Sequence, residues 1–234
     1  MRRNGTPVAP ITLMSVTAPL FVEGLAAADV RAVLAAATVR QLPAQRLIYE
    51  QGSRASDFFL LSKGRARYFS LTSDGRKILL HWIVPGDVLG LAALLPASSH
   101  YRVSAETVQA SSLLTWNRET MRALLERYPR LSHNAIAVGT GYMDWYIAAH
   151  TALVSDNARQ RLASLLDRIA DLMGKRVPGG VELQVTNEEL ASAANITVFT
   201  ASRILNEWQT ARALTKHRGR IVLHSPGRLF RLTA

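Results

Sequence analysis

Two stretches of this chain carry side chains suited to binding a phosphate or reading a base. Residues 86–107, GDVLGLAALLPASSHYRVSAET, bunch Gly86, Asp87 and Gly90 before an apolar step and place Arg102 twelve residues after Gly90. Glycines of this kind let backbone N–H groups approach an anion, and an arginine can pair with it. Residues 186–209, TNEELASAANITVFTASRILNEWQ, are different in kind. Thr186 and Glu189 have capping-box spacing, so a helix starts there. It is short, because Ala193-Ala194-Asn195 leads to a second start at Thr197, with Asn195 suited to a left-handed turn.

The second helix of that stretch is expected to bury Val198, Ala201, Ile204, Leu205 and Trp208, leaving Phe199, Thr200, Ser202, Arg203 and Asn206 on another face. A helix-turn-helix sets such a face in the DNA major groove, where arginine gives two hydrogen bonds to guanine and asparagine pairs with adenine. Arg203 is the first candidate for reading a base, with Ser202 and Phe199 beside it. Thr186, Thr197, Val198, Thr200 and Asn206 complete the candidate contact set on these helices. The competing reading is an ordinary antiparallel helix pair with a solvated basic face. Downstream, ALTKHRGRIVLHSP predicts a hairpin, with strands near 214–216 and 220–223 about a turn at His217-Arg218-Gly219. A hairpin after a recognition helix makes a winged helix, and Lys216, Arg218 and Arg220 suit phosphate contacts that hold register.

These side chains need elements to hold them. From about residue 46 to 116 the chain reads as short strands with Gly52, Gly64, Gly75 and Gly86 at turns, which predicts a β-barrel or roll. After Trp116 the period changes, and NRETMRALLERYP predicts a short helix ending at Pro129. A longer helix follows to about residue 153. On it Leu131, Ala135, Val138, Tyr142, Tyr146, Ala149 and Leu153 recur at spacings of three and four, the pattern of a seam against the same helix of a second copy. A core helix lying on the barrel is the alternative. Residues 157–173 predict another amphipathic helix, with Leu162, Leu165, Leu166, Ile169 and Met173 inward. GKRVPGGVE then predicts a loop.

The 234 residues are 48% hydrophobic and 19% charged, enough for two packed domains, and Lys plus Arg exceed Asp plus Glu by 28 − 17 = 11. Such a balance belongs with a polyanionic partner. No apolar run reaches the roughly 18 residues that cross a bilayer, so nucleic acid is expected rather than membrane. The absence of cysteine excludes an iron–sulfur cluster and thiolate zinc. No nucleophile–base set, Walker loop or metal-spaced histidine pair is present, so no catalytic residue and no enzyme is expected. Residues 1–20, interrupted by Pro7, Pro10 and Pro19, predict a loose N-terminal arm, and Met14 is an alternative start to Met1.

In this order, barrel, seam helix and winged helix resemble the CRP/FNR family of bacterial transcription regulators. The resemblance rests on Gln51-Gly52, Lys63-Gly64, Asp74-Gly75, Pro85-Gly86-Asp87, Gly90, Arg161, Thr186, Glu189 and Thr200-Ala201-Ser202-Arg203-Ile204-Leu205. It implies an α+β fold: sensor domain 21–128, dimerisation helix 129–154 and winged helix-turn-helix domain 155–234. It implies further a cytoplasmic homodimer on a roughly palindromic double-stranded operator, with RNA polymerase as a partner.

The same resemblance places an effector pocket at Gly90, Leu91, Arg102, Val103, Tyr146 and Ile147. Leu91 stands where cyclic AMP-binding members have a glutamate for the ribose, and Val103 where they have a serine after the phosphate-binding arginine. Arg102 is displaced by one residue from that arginine. Cyclic AMP is therefore not the expected effector. The FNR-type recognition-helix glutamate is replaced by Phe199.

Other members sense nitric oxide or carbon monoxide through haem, which needs an axial ligand. His81, His100, His133 and His150 are available for that, with His81 first. The apolar set Leu91, Leu94, Leu95 and Ile147 equally suits a hydrophobic effector or none. The expectation is a sequence-specific, dimeric DNA-binding transcription regulator controlled by an effector other than cyclic AMP or acting without one. The alternatives are a haem-based gas sensor and a weakly specific architectural DNA-binding protein.

Overall fold

The computed structural model describes residues 19–95, 99–224 and Leu229; most of the expected N-terminal arm lies outside them. After a short 3₁₀ turn at Leu20–Val22, helix α1 (Ala27–Ala35) leads into eight strands. These are β1 (Thr38–Leu42), β2 (Leu47–Tyr49), β3 (Asp57–Lys63), β4 (Ala66–Leu71), β5 (Lys77–Ile83), β6 (Val88–Leu89), β7 (Ser104–Thr107) and β8 (Ser111–Asn117). They form a roll of two four-stranded sheets, ordered β1-β8-β3-β6 and β2-β7-β4-β5. Helix α1 and strand β1 lie ahead of the strand pattern that starts near residue 46, since TVRQL has almost no apolar face to signal a strand.

Strand β3 explains how the roll is filled. Phe58, Phe59, Leu60 and Leu61 are all buried, so both faces of the strand are covered and the period-2 alternation of a half-exposed strand is lost. Phe59 stacks toward Tyr49 of the other sheet at 5.7 Å, while Phe58 meets Phe21 at 4.7 Å and Trp116 at 6.0 Å. Trp116 donates its indole N–H to Val33 O of α1 at 2.9 Å, so the helix closes that face without an orphaned polar atom. Each such fully buried aromatic contributes about 1.5–3 kcal/mol.

Helix α2 (Arg118–Arg127) is N-capped by Asn117, whose side chain accepts from Thr120 N. Helix α3 (Pro129–Ser155) begins with proline, whose missing N–H costs nothing in the first turn, and its 27 residues span about 40 Å. Its packing turns the first half of the expected seam into the roll, while Tyr146 and Leu153 of that set stay exposed. Leu131 and Ala135 are buried in the roll core, with Val138 and Tyr142 packed against it. Asn134 donates to Phe21 O at 2.9 Å and Glu23 O at 2.8 Å, fixing the helix start. The outward face carries a different set, Ile136, Thr140, Met143, Ile147, His150 and Val154, spaced 4-3-4-3-4 and all exposed. Ile136 is 69% and Val154 82% exposed. The helix is apolar on two sides, and period alone could not say which served the roll.

The C-terminal domain consists of α4 (Ala158–Met173), β9 (Lys175–Val177), β10 (Gly180–Leu183), α5 (Asn187–Ala193), α6 (Val198–Thr210), β11 (Leu214–His217) and β12 (Arg220–Leu223). The segment expected as a loop after α4 is instead a strand pair, which widens the wing into a sheet ordered β11-β12-β10-β9. Gly180, at φ 152°, allows this: a Cβ there would lie 1.9 Å from Leu223 O. The domain core gathers Leu162, Leu166, Leu190, Leu205, Trp208 and Leu223, and it also takes in Leu79 and Trp82 from β5 of the roll. No helix among the described residues is long and apolar enough to cross a membrane.

Candidate nucleic-acid interface and effector cavity

The two helices of the C-terminal motif are fixed by local chemistry. Glu189 N donates to Thr186 Oγ1 at 3.2 Å and Thr186 N to Glu189 Oε2 at 2.9 Å, the reciprocal capping box expected. Asn195 adopts φ 50°, the left-handed turn position. Thr197 caps α6 by accepting from Thr200 N at 3.0 Å. Arg161 of α4 then clamps the turn, donating to Ala194 O at 2.9 Å and Asp156 O at 2.6 Å, so it joins the end of α5 to the junction between α3 and α4.

On α6, Ala201, Ile204, Leu205 and Trp208 are buried. Val198 is 43% exposed, contrary to its expected inward position, because the first residue of α6 overhangs the turn rather than the domain core. Phe199 is 81% exposed. Thr197, Arg203 and Asn206 are exposed too, with Thr200 and Ser202 half-buried on the same surface. Arg203 is held by Glu207 at 3.3 Å, and Glu207 also pairs with Arg159. Asn206 accepts from Lys216 Nζ at 2.7 Å. Lys216, paired with Ile221 one step from the turn, thus reaches across to α6.

The other candidates also border the roll. Thr186, Arg218 and Arg220 line a crevice of about 740 Å³ between the wing and the roll, together with Arg65, Arg67 and Lys77. Arg220 pairs with Glu182 at 3.1 Å. Sequence reasoning missed the roll side of this contact. Arg65 donates to Gln184 O at 2.5 Å, and Leu79 N donates to Ser192 Oγ at 3.0 Å. No local signal marks residues whose partners lie more than a hundred positions away.

Inside the roll, beneath α3, is a cavity of about 270 Å³. Gly90, Leu91, Arg102, Val103 and Tyr146 line it as expected. Ile147 does not, being part of the outward stripe of α3. Gly90 has φ 79°, and a Cβ there would lie 2.7 Å from Asp57 O, so the loop passes too close to β3 for any other residue. Apart from Leu80 and Ala92, the rest of the wall is aromatic: Tyr49, Tyr68, Tyr101, Tyr142, Trp145 and His81. Tyr49 stacks on Tyr101 at 3.9 Å. Tyr142 donates to Val88 O at 3.0 Å, and Tyr101 donates to Asp57 O at 2.8 Å. Burial raises the hydroxyl pKa of Tyr49, Tyr68 and Tyr142 above the ordinary tyrosine value of 10.

His81 faces this cavity and meets Tyr142 at 5.5 Å and Trp145 at 4.9 Å, edge on. Burial, helped by the nearby Arg168 charge, pushes its pKa down to about 4, so the ring is neutral at pH 7. A neutral imidazole is the form that ligates iron. This cavity, about 270 Å³, is smaller than the roughly 300 Å³ at which pockets for drug-sized ligands begin, and His81 also borders a second space of about 390 Å³ with Trp82 and Leu165.

Comparison with known proteins agrees with this geometry. The family description "Cyclic nucleotide-binding domain" matches residues 39–128, and "Crp-like helix-turn-helix domain" matches residues 160–232. The cyclic AMP receptor protein of Thermus thermophilus is 29% identical over 188 residues, covering 80% of this chain and 84% of that one. The fumarate and nitrate reduction regulatory protein of Escherichia coli is 22% identical over 179 residues, 75% of this chain and 71% of that one. FixK2 of Bradyrhizobium japonicum shares the fold, with a TM-score of 0.74 at 23% identity over 85% of this chain and 98% of that one.

A nucleotide-binding-type roll joined by one long helix to a Crp-like helix-turn-helix defines a DNA-binding transcription regulator. This chain belongs to the CRP/FNR family.

Proposed function

We propose that the protein is a cytoplasmic, homodimeric regulator, without enzymatic activity, that reads a two-fold-related operator through α6 and answers to an effector other than cyclic AMP. The observation that carries this is the exposed face of α6, where Arg203 and Phe199 project from a helix capped by Thr197 and held against α5, itself capped by Thr186, through the Arg161 clamp. Arg203 needs only to exchange Glu207 for a guanine edge. The apolar stripe from Ile136 to Val154 supports a second copy packed along α3, which would set two recognition helices about one DNA turn apart. RNA polymerase is the expected further partner at such an operator.

Cyclic AMP is disfavoured by the cavity wall. Among the described residues no carboxylate lines it to meet a ribose hydroxyl, and Leu91 and Val103 present only hydrocarbon. Footprinting is the test. A bounded, two-fold-symmetric protected site that loses about tenfold or more in affinity with Arg203→Ala supports the reading. Uniform, salt-governed coverage with no such loss would replace it with an architectural DNA-binding protein. Added cyclic AMP should leave the melting temperature unchanged, since a ligand that binds the folded state raises it. The gas-sensing alternative rests first on His81, with His100, His133 and His150 behind it; a Soret band in freshly purified protein would restore it.

A further inference from the structure

The cavity beneath α3 has a lining unlike a nucleotide site. Five tyrosines and one tryptophan converge on it from residues 49 to 146. At roughly 30 Å³ per water-sized group, about 270 Å³ holds on the order of nine or ten non-hydrogen atoms, one ring with a short substituent. Tyr68, Tyr101 and Tyr142 spend their hydroxyl donors on Val88 O and Asp57 O. A sugar placed here would lose its hydrogen bonds to water and find few replacements. A flat apolar body loses nothing and gains aromatic contact.

Charge decides what that body carries. Aromatic cages often hold quaternary ammonium groups. Here no Asp or Glu among the described residues lines the cavity, while Arg102 stands in its lining, exposed; Arg168, outside the lining, lies 5.5 Å over the Trp145 ring. Of the charges bordering the cavity, Arg102 stands in the wall, whereas Asp87, close enough to act on Tyr68 and Tyr142, is pushed towards its neutral form by burial. Arg102 has no ion pair among the described residues, so its guanidinium is free to take a carboxylate with two parallel hydrogen bonds.

Resting on the reading of the protein as an effector-controlled regulator, we infer that this cavity binds a small aromatic carboxylate. Its ring lies among Tyr49, Tyr68, Tyr142 and Trp145, and its acid group lies on Arg102. Binding would press on Tyr142, Trp145 and Tyr146, which belong to α3. The opposite face of the same helix carries the stripe offered to the second copy, so the ligand acts where subunits meet.

The test uses the full-length protein and phenylacetate as probe, with benzyl alcohol, benzyltrimethylammonium and cyclic AMP as comparisons. Phenylacetate should raise the melting temperature and change the fluorescence of Trp145, an effect that Trp145→Phe abolishes. It should bind at least tenfold more tightly than the alcohol or the ammonium. Arg102→Ala, at an exposed position, should weaken phenylacetate about tenfold while leaving benzyl alcohol unchanged. No shift with millimolar phenylacetate, equal binding of the cation, or equal binding to Arg102→Ala overturns the inference. Operator binding is measured on the same samples. Operator binding without phenylacetate binding would reject the ligand class alone, whereas phenylacetate binding without operator recognition would reject the regulator reading alone.

Discussion

Arg67 of the roll and Glu189 of the DNA-binding domain stand 3.6 Å apart, and the same guanidinium donates to Glu106 at 2.6 Å. Glu189 is also the capping-box carboxylate of α5. One side chain thus links the sensor surface to the first helix of the DNA-reading motif.

Glu106 is the buried member of this cluster, between Arg67 and Lys77, 2.5 Å from the lysine. Burial by itself would raise its pKa, but hydrogen bonds from Lys77 and Arg67 together outweigh burial and hold it below the ordinary 4.5. The stabilisation is full above that value and is lost as pH falls through the lowered one. Glu106→Gln should cost about 1–3 kcal/mol at pH 7, with a smaller penalty below pH 4. Urea unfolding at the two pH values checks this; a penalty independent of pH would remove Glu106 from the acid response.

His81 titrates in the other window. Its folded pKa of about 4 lies below the ordinary 6.5, so the unfolded chain binds the proton more readily between those values. Stability should therefore fall as pH drops from 6.5 towards 4, by on the order of 3 kcal/mol, and His81→Phe should flatten that slope. An unchanged slope in the variant would mean that another group governs the range.

The two faces of α3 should separate by mutation. Met143→Asp with Ile147→Asp should yield monomers in sedimentation with an unchanged roll. Leu131→Ala should instead destabilise the fold by about 2–5 kcal/mol and leave association intact. A stable dimer with both aspartates would move the subunit contact elsewhere.

Wing and recognition helix should differ in their dependence on salt. Arg218→Ala should weaken every DNA sequence alike and lower the salt slope by about one. Arg203→Ala should relax preference at one base position. If Arg218→Ala changed sequence preference instead, the wing would be reading bases.

The sequence by itself determined what local chemistry controls. Thr186 and Glu189 set the start of α5, Asn195 the turn, Thr197 the start of α6 and Gly219 the wing, because caps and positive φ angles act within a few residues. Tertiary structure decided everything that depended on which surfaces meet. It turned Leu131 and Tyr142 inward and Ile136 and Met143 outward on a helix whose period fits both. It also turned GKRVPGGVE into strands, since β12 supplied the pairing edge. The aromatic cavity was equally hidden, because residues 49, 68, 101 and 142 converge only once two sheets and α3 close over one another. Burial is a property of the assembled packing, and no short window of sequence contains it.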